Sequence, residues 1–234
     1  MKKIGICVGH SRGDKGAVST GGVTEWDYNI MVADRLQDIL ERAGVSVTLF
    51  DHYPASTYKG AMGWLAESLN NLGPDCAIEL HFNSASPEAE GYEYLYWQGS
   101  LRGKRLAECL LNAHEDLLMP QEKRGAKAIT AGSRGAAFLR GPKTVCCLCE
   151  PFFGSSAKEW SLFEDDAGMD NLARTYANGL ADFLDIKLTI PFRRAPEASP
   201  VDPGCKARLN EIRDRVERIK SHLIEIEKLL PHDP

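Results

Sequence analysis

The chain has 234 residues, 43% of them hydrophobic and 26% charged, and a formal net charge of −5. This is the balance of an ordinary globular protein with enough length for a sizeable core. The acidic surplus argues against a nucleic-acid partner held on a basic surface, and no window approaches the roughly 20 apolar residues of a membrane span.

Read in chain order, strand-like runs fall at Lys3–Val8, Ser46–Phe50, Ala77–His81, Tyr92–Tyr96 and Thr144–Glu150. The apolar opening is too short for the core of a signal peptide. It reads as a first strand, and the chain is expected in the cytoplasm where it is made. Tyr28, Met31, Val32, Leu36, Ile39, Leu40 and Ala43 recur at helical spacing. Thr24 with Asp27 gives that helix a start like a capping box, and Gly44 stops it. Further helices are predicted at Met62–Leu72, Leu101–Leu118 and Asp170–Leu184. Strands alternating with helices of this size predict an α/β layered domain with a largely parallel sheet, over residues 1–191.

Cys7, Cys76 and the group Cys146, Cys147 and Cys149 lie inside apolar runs, where thiols act as small buried hydrophobes. Their spacing does not match a zinc knuckle.

Residues 192–204 include three prolines, Pro196, Pro200 and Pro203, and read as a stiff linker. In residues 205–231, Leu209, Ile212, Val216, Ile219, Leu223, Ile226 and Leu230 form a strict heptad seam with charges between. This predicts a coiled-coil helix that makes the protein a homo-oligomer. The alternative is an amphipathic helix lying on its own domain. The charges leave helix number and direction open.

Two of the strand-like runs lead into a histidine, His10 and His81, and a third closes on Glu150. Gly13, Gly16, Gly21 and Gly22 separate His10 from Glu25, which opens the first helix. In a parallel sheet the carboxyl ends of the strands line one rim and build the site. That reading brings His10, Glu25, His81 and Glu150 together. Two histidines and one carboxylate are a ligand set of catalytic zinc, with the fourth position left to water. A further carboxylate is then needed to move a proton.

Four stretches, "ICVGHSRGDKGAVSTGGVTEWDYN", "IELHFNSASPEAEGYEYLYW", "RGAK" and "VCCLCEPFFG", together resemble the zinc-dependent N-acetylmuramoyl-L-alanine amidases. The similarity is nearest to the compact phage endolysins of that family and runs over about residues 3–185. It implies a mixed, mostly parallel sheet of about six strands flanked by helices. It implies that His10, Glu25 and His81 bind Zn²⁺ and that Glu150 is the catalytic carboxylate. The implied reaction on peptidoglycan is hydrolysis of the amide between N-acetylmuramic acid and L-alanine of the stem peptide. A phage lysis enzyme of this kind waits in the host cytoplasm until the membrane is opened.

Glu79 lies on the His81 face of its strand, where it could hydrogen-bond His81 or a Zn²⁺-bound water, or point into the core rim and pair with a lysine; it is not read as a ligand. Asn83 matches the His-x-Asn of the family and could orient substrate or brace the turn. Tyr94, Tyr96, Trp97, Arg124 and Phe152 are candidate contacts on the rim, and Tyr92, Tyr94 and Tyr96 could equally cover the core. Two other readings stay open. One is a different zinc hydrolase of cell-wall material, a peptidase or deacetylase, although His-Glu-x-x-His is missing. The other is a non-enzymatic wall-binding or scaffold module.

Overall fold

A computed structural model describes residues 1–192 apart from Ser56. The linker at 192–204, beyond its first residue, and the heptad segment at 205–231 lie outside the described residues. Six strands form one sheet: β1 (Lys3–Val8), β2 (Ser46–Phe50), β3 (Cys76–Leu80), β4 (Tyr92–Trp97), β5 (Lys123–Ile129) and β6 (Cys146–Glu150). Their order across the sheet is β2-β1-β3-β6-β4-β5. β2, β1, β3 and β6 run parallel, whereas β4 is antiparallel to β6 and parallel to β5.

The alternation of side chains divides the core into two layers. Ile4, Ile6, Val8, Ile78, Leu80, Cys147 and Cys149 face α1 (Glu25–Arg42), α3 (Leu101–Glu115) and α6 (Asp166–Leu184). Cys7, Ala77, Cys146 and Leu148 face α2 (Tyr58–Leu72) and α4 (Ala136–Arg140). Covered on both faces, β3 is buried at every position, which explains its near-continuous apolar run. Six of the seven cysteines are buried free thiols, in keeping with the apolar reading. Among the described residues no helix is long and apolar enough to cross a membrane.

The first helix starts where its cap predicts. Thr24 Oγ1 accepts from the Asp27 amide at 3.3 Å and donates to Asp27 Oδ2 at 2.6 Å. Gly44 follows the helix with φ of 77°. α2 and α6 begin one turn earlier than the apolar spacing suggests, because Thr57 and Asp165 cap them. The sequence reading also lacks β5, α4 and a short helix α5 (Ala157–Phe163). β5 has no apolar alternation; it is an edge strand with basic residues and exists through its pairing with β4.

The direction of β4 corrects part of the predicted rim. Because Glu93 pairs with Glu150 and Leu95 with Leu148, the carboxyl end of β4 points away from the carboxyl end of β6. Tyr96 and Trp97 therefore lie toward the opposite edge of the sheet, with Arg140 stacked 5.5 Å from the Trp97 ring. Tyr94 and Phe152 are fully buried and do not reach a substrate. Tyr94 instead packs in the core and its hydroxyl meets His114 Nδ1 at 2.8 Å.

Candidate metal centre

β1, β3 and β6 are adjacent and parallel, so the ends that carry His10, His81 and Glu150 share one rim. His10 follows β1 with φ of 67°, a conformation uncommon for a residue with a side chain. Such strain persists where the surroundings impose it. The loop after it folds back on itself through bridges of Ser11 with Asp14 and Val18 with Thr24. It ends with the Glu25 amide donating to the Ala17 carbonyl at 2.8 Å. The first turn of α1 thereby aims the Glu25 carboxylate back at the strand ends.

Glu25 is 4% exposed and sits between the two imidazoles. Its Oε2 lies 3.1 Å from His10 Nε2 and its Oε1 2.7 Å from His81 Nδ1. The amides of Ala17 and Phe82 each donate to it at 3.2 Å. Burial pushes the Glu25 carboxyl up, but hydrogen bonds with both histidines outweigh it and hold the group at about 2. One ligand atom from each of His10, Glu25 and His81 lies within 4.8 Å of the others. This donor set and spacing suit a tetrahedral zinc, whose bonds to such donors are about 2.0–2.2 Å.

Close packing requires two of the nearby glycines. A Cβ on Gly9 would run into the His81 ring, 2.5 Å from Nδ1. A Cβ on Gly16 would lie 2.5 Å from His10 Cδ2 and 2.8 Å from Glu25 Oε2, and φ there is 74°. Among the described residues nothing would meet a Cβ on Gly13, so only part of the glycine-rich run packs against the site.

Glu79 is buried among apolar side chains at 4% exposure, with Oε2 3.3 Å from His81 Nε2. Of the roles open to it in the sequence, the contact with His81 is the one observed. Both ring nitrogens of His81 thus face carboxylates. Burial disfavours its charge, but Glu25 and Glu79 overcome this and raise the imidazole well above its ordinary range.

Glu150 closes β6 with Oε2 occluded and, among the described residues, without a hydrogen-bond partner. Burial raises its carboxyl to about 8; the charge of His81 opposes the shift, and those of Glu25 and Glu93 add to it. A carboxyl poised near neutrality at the end of the strand next to the one that leads into His81 has the proton affinity of a general acid and base.

Asn83 braces the turn. Its backbone ties β3 to the segment after β6, accepting from Gly154 at 2.9 Å and donating to Phe152 at 2.8 Å. Its side chain donates to Glu93 Oε1 at 3.2 Å. Glu93 lies beside the candidate site and is a residue that the sequence pattern did not single out. It sits directly opposite Glu150, and its Oε2 takes Arg124 Nε at 2.6 Å and Lys127 Nζ at 2.5 Å. Burial would raise Glu93, but the two cations lower it below the usual range. The available signal was a lone carboxylate in the aromatic run Tyr92–Trp97.

Comparison with known proteins agrees with this architecture. The profile of the amidase-3 family, described as N-acetylmuramoyl-L-alanine amidase, matches residues 4–182. An endolysin of Bacillus phage SPP1 is 23% identical over 187 residues, spanning 80% of this chain and 67% of the endolysin. The catalytic domain of CwlV, an N-acetylmuramoyl-L-alanine amidase from Bacillus (Paenibacillus) polymyxa var. colistinus, superposes with a TM-score of 0.69. It is 23% identical, and the match covers 80% of this chain and all of that domain, 100%. The CwlD amidase of Clostridioides difficile, solved with the GerS lipoprotein, gives a TM-score of 0.72 at 20% identity, over 80% of this chain and 100% of that one. At these identities the solved structures show a shared fold, while the profile spans most of the chain; by that match the chain belongs to the N-acetylmuramoyl-L-alanine amidase family.

Proposed function

We propose that this chain is a zinc-dependent amidase that cuts peptidoglycan between N-acetylmuramic acid and L-alanine, in the setting of phage lysis. The observation that carries the zinc reading is the convergence of His10, Glu25 and His81, within 4.8 Å at their ligand atoms, beside the unpartnered Oε2 of Glu150. His10, Glu25 and His81 would hold the ion. Zn²⁺ held there supplies Lewis-acid polarisation of a carbonyl and makes water more acidic.

The remaining roles belong to the chain. Glu150 takes the proton of the attacking water and delivers it to the leaving alanine nitrogen, for which a carboxyl near neutrality is suited. Glu79 accepts from His81 Nε2 and so leaves Nδ1 for the metal, the arrangement that orients a ligating imidazole. Asn83 keeps the ends of β3 and β6 in register. The likeness to an endolysin supports a lysis role, in which the enzyme waits in the host cytoplasm until the membrane opens.

The test is Glu150→Gln. The variant is expected to keep its zinc, measured by atomic emission, and to lose turnover by roughly 10²–10⁴-fold, the usual share of a general acid and base. A variant that retained the full rate would remove Glu150 from the mechanism.

A further inference from the structure

Arg124 and Lys127 stand out because their charge exceeds what their partner needs. Both reach the same oxygen of Glu93, at 2.6 Å and 2.5 Å, while Asn83 occupies the other at 3.2 Å. Among the described residues both pair with Glu93 alone, so two cations meet one carboxylate and one positive charge is in surplus, on a chain whose net charge is −5. The two cations are also accessible, with side chains 33% and 40% exposed against 11% for Glu93. The Arg124 guanidinium lies 5.1 Å over the Phe153 ring, which fixes its plane. Its Nε is committed to Glu93, and among the described residues no hydrogen bond holds the two terminal amino groups, which suit a bidentate acceptor.

We propose that Arg124 and Lys127 form a subsite for a carboxylate of the stem peptide, on the peptide side of the scissile amide. The inference rests on the amidase reading above. Neighbouring strands lie about 4.8 Å apart, and β4 separates β5 from β6, so the subsite is roughly 10 Å from the Glu150 backbone. An extended peptide covers that distance in about three residues. The carboxylate recognised therefore lies within the first few residues after the cut. A carboxamide at that position offers no charge to the surplus cation and is the weaker ligand.

The experiment uses the full zinc-loaded chain and two matched muropeptides, one with its peptide carboxylates free and one with them converted to carboxamides. The readout is the ratio of kcat/KM for the two. The wild-type protein is expected to favour the free acid by roughly ten- to hundredfold, the range of a hydrogen bond between charged groups. Arg124→Gln and Lys127→Gln, measured separately, should each move the ratio toward one, chiefly through KM of the free acid. If the two cations serve only to neutralise Glu93, each variant will lower both rates together and keep the wild-type ratio, which overturns the subsite. A wild-type ratio near one overturns it too. A wild-type protein that cuts neither muropeptide overturns the amidase reading along with it.

Discussion

Glu150 ends an apolar strand with one carboxylate oxygen that no donor among the described residues reaches, and its burial contributes to the pH response of the protein. Its ordinary value is 4.5 and burial raises it to about 8 in the folded chain. Between those values the folded state binds more protons than the unfolded state, so the associated stability is present below pH 4.5 and fades as pH rises through about 8. In the metal-free protein, thermal unfolding at pH 5 and pH 9 should show this loss, on the order of 3–5 kcal/mol. Glu150→Gln should lack it; equal pH dependence in both proteins would contradict the burial. Gly16 gives a second test at this scale. Gly16→Ala places a Cβ against His10 and Glu25 at a positive φ, and is expected to weaken zinc binding about tenfold or more by calorimetry. Gly13→Ala, with nothing within 4 Å, is the matched control and should bind as the wild type does.

At the scale of elements, the site depends on which way each strand runs. β1, β3 and β6 present His10, His81 and Glu150 because they are parallel neighbours, and β4 contributes Glu93 because it is not. The reversal moves Trp97 away from the site. Trp97→Ala is therefore expected to keep kcat/KM on a muropeptide within about twofold while lowering the melting temperature, through the lost contact with Arg140. A large loss of kcat/KM at unchanged stability would put Trp97 back on the rim. The same point explains what the sequence could carry. The placing of His10, Glu25, His81 and Glu150 toward one rim was legible because each follows or ends a strand or opens a helix, and local pattern marks those places. The first helix was legible through its cap and its apolar stripe. Glu93, Tyr96 and Trp97 were not, since their positions follow from the long-range pairing of β4 with β6, which no local period records. β5 was hidden for a related reason, being an edge strand held by its neighbour.

At the scale of the whole molecule, a net charge of −5 gives no general attraction to acidic wall polymers, so contact with the wall must come from local features such as the rim around Glu150. The heptad segment at 205–231 adds a proposal of its own: association of several copies would raise avidity for an insoluble polymer. Sedimentation should show a larger assembly for the full chain than for a chain ending at Pro191, and equal monomeric masses would contradict it. The central claim is the bond that is cut. The zinc-loaded 234-residue chain should be incubated with purified peptidoglycan and the products read by mass spectrometry. Peptides with free L-alanine amino ends and glycan strands that keep intact lactyl carboxylates are expected. Cleavage within the peptide, loss of acetyl groups, or no release at all would contradict it.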